Sequence, residues 1–302
     1  MDIPNARSSH SVPTPRGGGL AIVLCWFLAL VYFFYTNLIA PSLFYALSSG
    51  VILAIIGVLD DIYSLSPKLR LLAQAITAFL ALYFLNGFTI HMLQPTSVIV
   101  TLLVSGIALI GIVWFINLYN FLDGIDGYAS LESILVVGAF FLLTGSSIHV
   151  VLIAAIVGFL IWNWPKAKIF MGDVGSTQLG FILIVLGIFY HNQTEYSFSF
   201  IHWIMLTSVF WFDATYTLYR RWRNKEKLSE AHKKHGYQRV VQAGFSHLKT
   251  DMYAVVINLI IVGLVYISKL YTVLLIPVLF INIGLLFFVT KRIDKAFPFS
   301  KN

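Results

Sequence analysis

The sequence predicts an all-α integral membrane protein, a polytopic bundle of about ten transmembrane helices. It reads as one domain over residues 1–302. Three observations carry this. Hydrophobic residues make up 59% of the chain and charged residues 11%, against roughly 25% charged in soluble domains. Apolar runs of about 16–22 residues recur along the chain, the length a helix needs to cross a bilayer. The charges also alternate by loop: with the N-terminus inside, all 20 Lys and Arg except Lys269 fall on the cytoplasmic side, which is the positive-inside signal.

In chain order the runs are centred in 20–39, 42–59, 69–86, 97–117, 130–145, 148–164, 175–191, 199–219, 251–268 and 270–290. None has the alternation of a barrel strand. The outer loops, around Pro41, Gly87 to Pro95, Gly145 and His191 to Tyr196, are short and nearly uncharged. Asn192-Gln193-Thr194 is a formal glycosylation sequon there, a tripeptide common by chance. The single cysteine, Cys25, excludes an internal disulfide and a cysteine zinc site, and is expected to pack in its apolar run. The net charge of +7 belongs to one face and suits an anionic leaflet or anionic substrates. No basic arm with interleaved aromatics suggests nucleic acid.

Three acidic motifs lie at the edges of apolar runs on the cytoplasmic face, where an ionisable group pairs, binds a cation or serves function. Asp60 and Asp61 close the second run, with Lys68 and Arg70 following. Carboxylates at a helix C-terminus oppose the macrodipole, so helix-end solvation explains them less well than function. Asn117, Asn120, Asp123 and Asp126 recur every three residues, which on a continuing helix makes one polar stripe. Polar glue between helices rarely needs four such groups. Asp173, between Gly172 and Gly175, is a plain N-terminal cap or part of a phosphate-binding turn; its motif alone leaves both open. Asn163, Lys166 and Lys168 add polar groups nearby.

The longest cytoplasmic loop, 220–250, carries His232, His235 and Arg239. On a helix these share a face suited to phosphate, whereas a polybasic segment lying on anionic lipid is the plainer reading. The N-terminal SSHSVPTPRGGG is either a flexible linker or a loop folding over the site with Arg16 and His10. Asp213 is either a buried ion-pair partner or a wall of the same site.

Carboxylate and amide oxygens without thiolates, beside Arg and Lys, suit Mg²⁺ and phosphates. In order, DIPNARSSHSVPTPRGGG, GVLDDIYSLSPKLRLLAQ, NLYNFLDGIDG, FMGDVGS and AHKKHGYQR resemble the polyprenyl-phosphate N-acetylhexosamine-1-phosphate transferases of glycosyltransferase family 4. The resemblance implies transfer of an N-acetylhexosamine 1-phosphate from a UDP-sugar to undecaprenyl phosphate, with release of UMP. It implies Mg²⁺ held by Asn120 and Asp173, with Mn²⁺ able to substitute. Asp60, Asp61 and Asp123 take the catalytic positions. Asp126, Asn163, Lys68, His232, His235 and Arg239 take the nucleotide and substrate positions. The implied setting is the bacterial inner membrane, with a cytoplasmic site and a homodimer allowed. HKKH stands where part of the family has three consecutive histidines, which brings the chain closer to the branch initiating O-antigen or related surface polysaccharides. Family members usually carry a membrane helix before DIPN, whereas Met1 immediately precedes it here; a shortened product or misassigned start is expected. The rival readings are a secondary transporter for an anionic solute and an inactive shortened paralogue. Charges gathered at helix ends on one face, without a duplicated motif, weigh against a transporter.

Overall fold

The structure, a computed structural model, describes residues 13–89, 97–196, 198–228, 230 and 232–299, and it is all-helical apart from a one-residue bridge at Thr14. The helices are α1 (Gly19–Tyr35), α2 (Pro41–Ser48), α3 (Val51–Tyr63), α4 (Pro67–Phe84), α5 (Val98–Leu122), α6 (Tyr128–Thr144) and α7 (Ile148–Asn163). They continue with α8 (Gly172–Asn192), α9 (Phe200–Leu206), α10 (Ser208–Arg223), α11 (Gly236–Gln242), α12 (His247–Leu270) and α13 (Leu275–Ala296). Their starts follow local chemistry. Pro41 and Pro67 occupy first-turn positions where no amide donor is needed, and Ser66, Ser97 and Ser246 cap α4, α5 and α12.

Five stretches are long and apolar enough to cross a membrane: Pro41–Tyr63, Val98–Leu122, Gly172–Asn192, His247–Leu270 and Thr272–Ala296. Gly19–Tyr35, Tyr128–Thr144 and Ile148–Asn163 are apolar but shorter. The expected run at 69–86 forms α4, and that at 199–219 is broken at Thr207 into α9 and α10. The run at 42–59 is likewise interrupted at Ser49 and Gly50.

Helix α8 is the hub, with its whole apolar window buried. Small residues let three neighbours reach its backbone. A Cβ on Gly19 would lie 2.4 Å from the Gly175 Cα, one on Gly57 2.5 Å from the Val174 Cα, and one on Gly180 2.8 Å from the Tyr119 Cβ. Such close approach replaces the hydrophobic drive that is missing between helices in lipid. Polar pairs add to it: Asn117 Nδ2 donates to Gln74 Oε1 at 2.6 Å, and Asn258 Nδ2 to Glu132 Oε2 at 2.6 Å. The outer surface is apolar, with Leu28, Leu102, Ile107 and Phe280 exposed; a belt of this kind needs lipid, not water, around it.

At one end of the bundle the Asn192 amide accepts from Thr89 N–H at 3.0 Å and donates to the Gly87 carbonyl at 2.9 Å. The sequon asparagine is thus a brace between α8 and the loop after α4. Lys269 at the same end donates to the Leu143 carbonyl. Cys25 faces outward from α1 and is exposed, which corrects the packing role expected for it. The acidic motifs gather at the opposite end.

Candidate active site

Three carboxylates and two guanidiniums meet where α3, α4 and α8 converge. Arg70 Nη1 bridges Asp60 Oδ2 at 3.0 Å and Asp173 Oδ2 at 3.1 Å. Arg16 Nη2 reaches Asp173 Oδ1 at 2.7 Å, and its Nε lies 3.2 Å from Asp61 Oδ1. Asp61 in turn accepts the Asp173 N–H at 3.1 Å, so it, and not Asp173, serves the amino end of α8. Asp60 Oδ1 accepts the Leu65 N–H at 2.6 Å, fixing the loop between α3 and α4.

Arg16 arrives on the N-terminal loop, which pairs with the segment before α8. Phe170 N–H donates to the Pro15 carbonyl at 2.8 Å, and Gly18 N–H to the Phe170 carbonyl at 2.9 Å. The folded-over loop is therefore the form found for residues 13–18; His10 lies outside the described residues. Lys68 is exposed and joins none of these contacts. Arg70, two residues on, takes the place expected for it. A basic pair beside DD was visible in the sequence, but which member faced inward depended on helical phase.

From this cluster a cavity of about 550 Å³ runs between α3, α4 and α5. Asp60, Arg70, Asn120 and Asp173 line its polar end, and Leu53, Leu71, Val113 and Trp114 are among its apolar walls. Asn120 Nδ2 donates to Ser176 Oγ at 2.9 Å, joining α5 to α8. Asn120 and Asp173 thus line the same end of the cavity.

The polar stripe is corrected. Helix α5 stops at Leu122 with Asp123 as its C-cap, so only Asn117 and Asn120 lie on it. Asp126 sits in the following turn, and Gly127 at φ +79° begins α6. The three-residue spacing continued, but the helix did not, because Gly124 and Gly127 favour a turn. Burial pushes the Asp123 carboxyl up to about 7, and the Asp173 charge adds to the rise. Asp126 Oδ2 accepts the Ala167 N–H at 3.1 Å and lies 3.2 Å from His247 Nδ1. Asn163 accepts the Gly127 N–H and donates to the Ile169 carbonyl, both at 2.9 Å. His247 was not singled out in the sequence, where it follows Ala243-Gly244-Phe245-Ser246.

The 220–250 loop also departs from expectation. His232 and His235 precede α11 and do not share a helix face; their rings pack with centroids 4.8 Å apart. Burial pushes both imidazoles down to about 4, and the Arg221 charge acts in the same direction. Arg239 turns away from the phosphate position expected of it. Its Nη2 donates to Asp294 Oδ1 at 2.5 Å and to the Phe297 carbonyl, tying α11 to the end of α13. Asp213 accepts the Gly236 N–H through both oxygens, at 2.8 and 2.9 Å, and so caps α11. Tyr237 Oη then donates to the Phe121 carbonyl at 3.3 Å, setting α11 against the Asp123 turn.

The profile of glycosyl transferase family 4 matches residues 43–191, which contain the carboxylate cluster apart from Arg16. A relative from Bacillus subtilis (strain 168), a probable undecaprenyl-phosphate N-acetylglucosaminyl 1-phosphate transferase, is 30% identical over 100% of this chain and 87% of its own length. The chain belongs to glycosyl transferase family 4. Two further relatives are named undecaprenyl-phosphate alpha-N-acetylglucosaminyl 1-phosphate transferase. The one from Thermotoga maritima is 31% identical over 70% of this chain and 65% of its own length. The one from Escherichia coli O157:H7 is 26% identical over 82% and 70%. For this family 4 member, the aspartates of all three motifs lie within the matched region.

Proposed function

We propose that this protein transfers an N-acetylhexosamine 1-phosphate from a UDP-sugar to undecaprenyl phosphate, releasing UMP, and that N-acetylglucosamine is the donor sugar. The observation that carries this reading is the cavity that is apolar along α3, α4 and α5 and ends at Asp60, Arg70 and Asp173. A hydrocarbon chain fits the first part and its phosphate the second. The names of the relatives support the same pair of substrates.

In the reaction an oxygen of the acceptor phosphate attacks the phosphorus that bears the sugar. The bond from that phosphorus to the oxygen of the uridylyl phosphate breaks, and UMP leaves with the electron pair. An acceptor phosphate with a second pKa near 6 needs little help to be dianionic at neutral pH. Asp60 therefore acts in positioning: both its oxygens are engaged, one by Leu65 N–H and one by Arg70. Asp60 and Asp61 fix the two arginines that meet the acceptor phosphate. Asp123 stands at the donor pyrophosphate, and Asp126 and Asn163 on the nucleotide side. His232 and His235 form the loop wall over the donor, while Lys68 guides anions from the surface.

The residues fit Mg²⁺. Asp60, Asp61 and Asp173 exceed Arg16 and Arg70 in charge, and every donor is a hard oxygen. Among the described residues no group of three or more His, Cys, Asp and Glu could hold a metal alone. That suits an ion which takes one or two carboxylates and completes its shell with substrate oxygens and water. Asp173 and Asn120 would hold it, and when bound it would offset the charge developing on the transferred phosphoryl group.

The proposal places about ten crossings in the bilayer, the site on the cytoplasmic face of a bacterial inner membrane, and the product at the start of O-antigen or another envelope polysaccharide. Purified protein in nanodiscs, given UDP-N-acetylglucosamine, undecaprenyl phosphate and Mg²⁺, should release UMP only when the lipid acceptor is present. Acceptor-independent release, or none with any UDP-N-acetylhexosamine, overturns the reading.

A further inference from the structure

A buried carboxylate without a hydrogen-bond partner among the described residues lies outside the carboxylate cluster. Asp251, in α12, is 1% exposed, and among the described residues neither carboxylate oxygen has a hydrogen-bond partner. It stands one helical turn after His247, so the two share a face. A Cβ on Gly127, the residue that starts α6, would lie 3.3 Å from Asp251 Oδ2. Asp126, 8% exposed, is 3.2 Å from His247 Nδ1. Two carboxylates and one imidazole are therefore packed between the amino ends of α6 and α12, with Tyr128 beside Asp251.

A buried carboxylate is tolerated when an opposite charge offsets it. His247 Nδ1 accepts the Asp126 N–H at 3.4 Å and lies 3.2 Å from Asp126 Oδ2. The ring thus meets Asp126 through Nδ1 from the helix face that it shares with Asp251. We infer that Asp251 is a positioning residue for the donor-side turn, acting on Asp126 through His247.

What it positions is the strap between α7 and α8. Asp126 accepts the Ala167 N–H at 3.1 Å, and Asn163 grips the Ile169 carbonyl from the other side. The strap runs directly into Gly172 and Asp173 at the start of α8. Replacing the Asp251 carboxylate leaves the His247 ring less firmly placed against Asp126, and the strap loosens where the donor binds. The consequence for donor binding rests on the proposed reaction; the consequence for the strap does not.

The test uses the full-length protein in nanodiscs. Hydrogen–deuterium exchange across 164–171 is compared for wild type, Asp251→Asn, Asp251→Glu and His247→Gln, beside steady-state kinetics with UDP-N-acetylglucosamine. Asp251→Asn should speed exchange at the strap and raise KM for the UDP-sugar, each about tenfold, with kcat held within about twofold. Asp251→Glu should restore most of both. The Asp251→Asn/His247→Gln double variant should be no worse than either single one, because the two act in series. Unchanged strap exchange in both single variants overturns the inference, as does an additive double variant. If one single variant fails to fold, the other decides. If wild type releases no UMP while exchange responds as stated, the proposed reaction fails and the positioning role stands.

Discussion

The Asp61 carboxylate caps the helix that carries Asp173, accepting the Asp173 N–H at 3.1 Å while Arg16 touches both side chains. One residue of the DD pair thus builds the scaffold for an aspartate more than a hundred residues away. Replacing Asp61 separates the two duties. Asp61→Ala should cost about 1 kcal/mol of stability, the usual value of a lost N-terminal cap, whereas Asp61→Asn keeps an acceptor and most of that stability. Thermal unfolding in detergent checks this, and an equal loss in both variants would refute the cap.

Asp173→Asn keeps the size of the side chain but removes the charge held by Arg16 and Arg70. Turnover should fall by about two orders of magnitude, the scale of losing one charge-stabilising group in a preorganised site. Unfolding should shift little. A variant with near-normal turnover at limiting Mg²⁺ would remove Asp173 from the metal site.

Arg70 and Lys68 should behave differently despite their proximity. Arg70→Ala leaves Asp60 and Asp173 facing each other without the guanidinium between them, and activity should drop at least about tenfold. Lys68→Ala, on an exposed side chain, should change kcat by less than about twofold. The reverse ranking in the UMP assay would show that the surface lysine is the working cation.

Arg239→Ala should act on stability before it acts on substrate. The guanidinium joins α11 to Asp294 and the Phe297 carbonyl, so its loss should cost about 1–3 kcal/mol. Unfolding midpoints beside KM for the UDP-sugar distinguish this from phosphate binding, which would raise KM with stability unchanged.

His232 and His235 give the loop a defined pH response. Their folded pKa values, about 4, lie below the ordinary 6.5. Between those values the unfolded loop takes up protons that the folded loop refuses. The stabilisation is therefore complete above pH 6.5 and is lost as pH falls toward 4. Histidine resonances followed by NMR should titrate near 4, and a His232→Gln/His235→Gln variant should flatten the pH dependence of unfolding. Titration near 6.5 in the folded protein would contradict the burial.

The long apolar runs made the membrane bundle legible, because length and hydrophobicity alone define helices such as α5, α12 and α13. Breaks inside runs were not. Thr207 interrupts a stretch that is apolar on both sides, and nothing in composition marks the residue where the backbone turns. Within the site, the convergence of Asp60, Asn120 and Asp173 followed from their shared membrane face. The roles of Arg70, Arg239 and Asp213 did not. They depend on which way a side chain points from a helix of known length but unknown rotation. The end of α5 was foreshadowed by Gly124 and Gly127, yet a three-residue spacing reads alike on a helix and in a turn.

The glycine contacts around α8 bear on how this enzyme class can vary. Gly19 and Gly57 press their helices onto the first turn of the hub, at Gly175 and Val174 beside Asp173. A helix held this tightly cannot shift to accommodate a different sugar. Room for a new donor has to come from the parts that hang from the bundle by hydrogen bonds, namely the 164–171 strap and the 220–250 loop. Attempts to retarget the sugar should therefore recombine these two segments between relatives and leave the helices that carry the carboxylate cluster untouched.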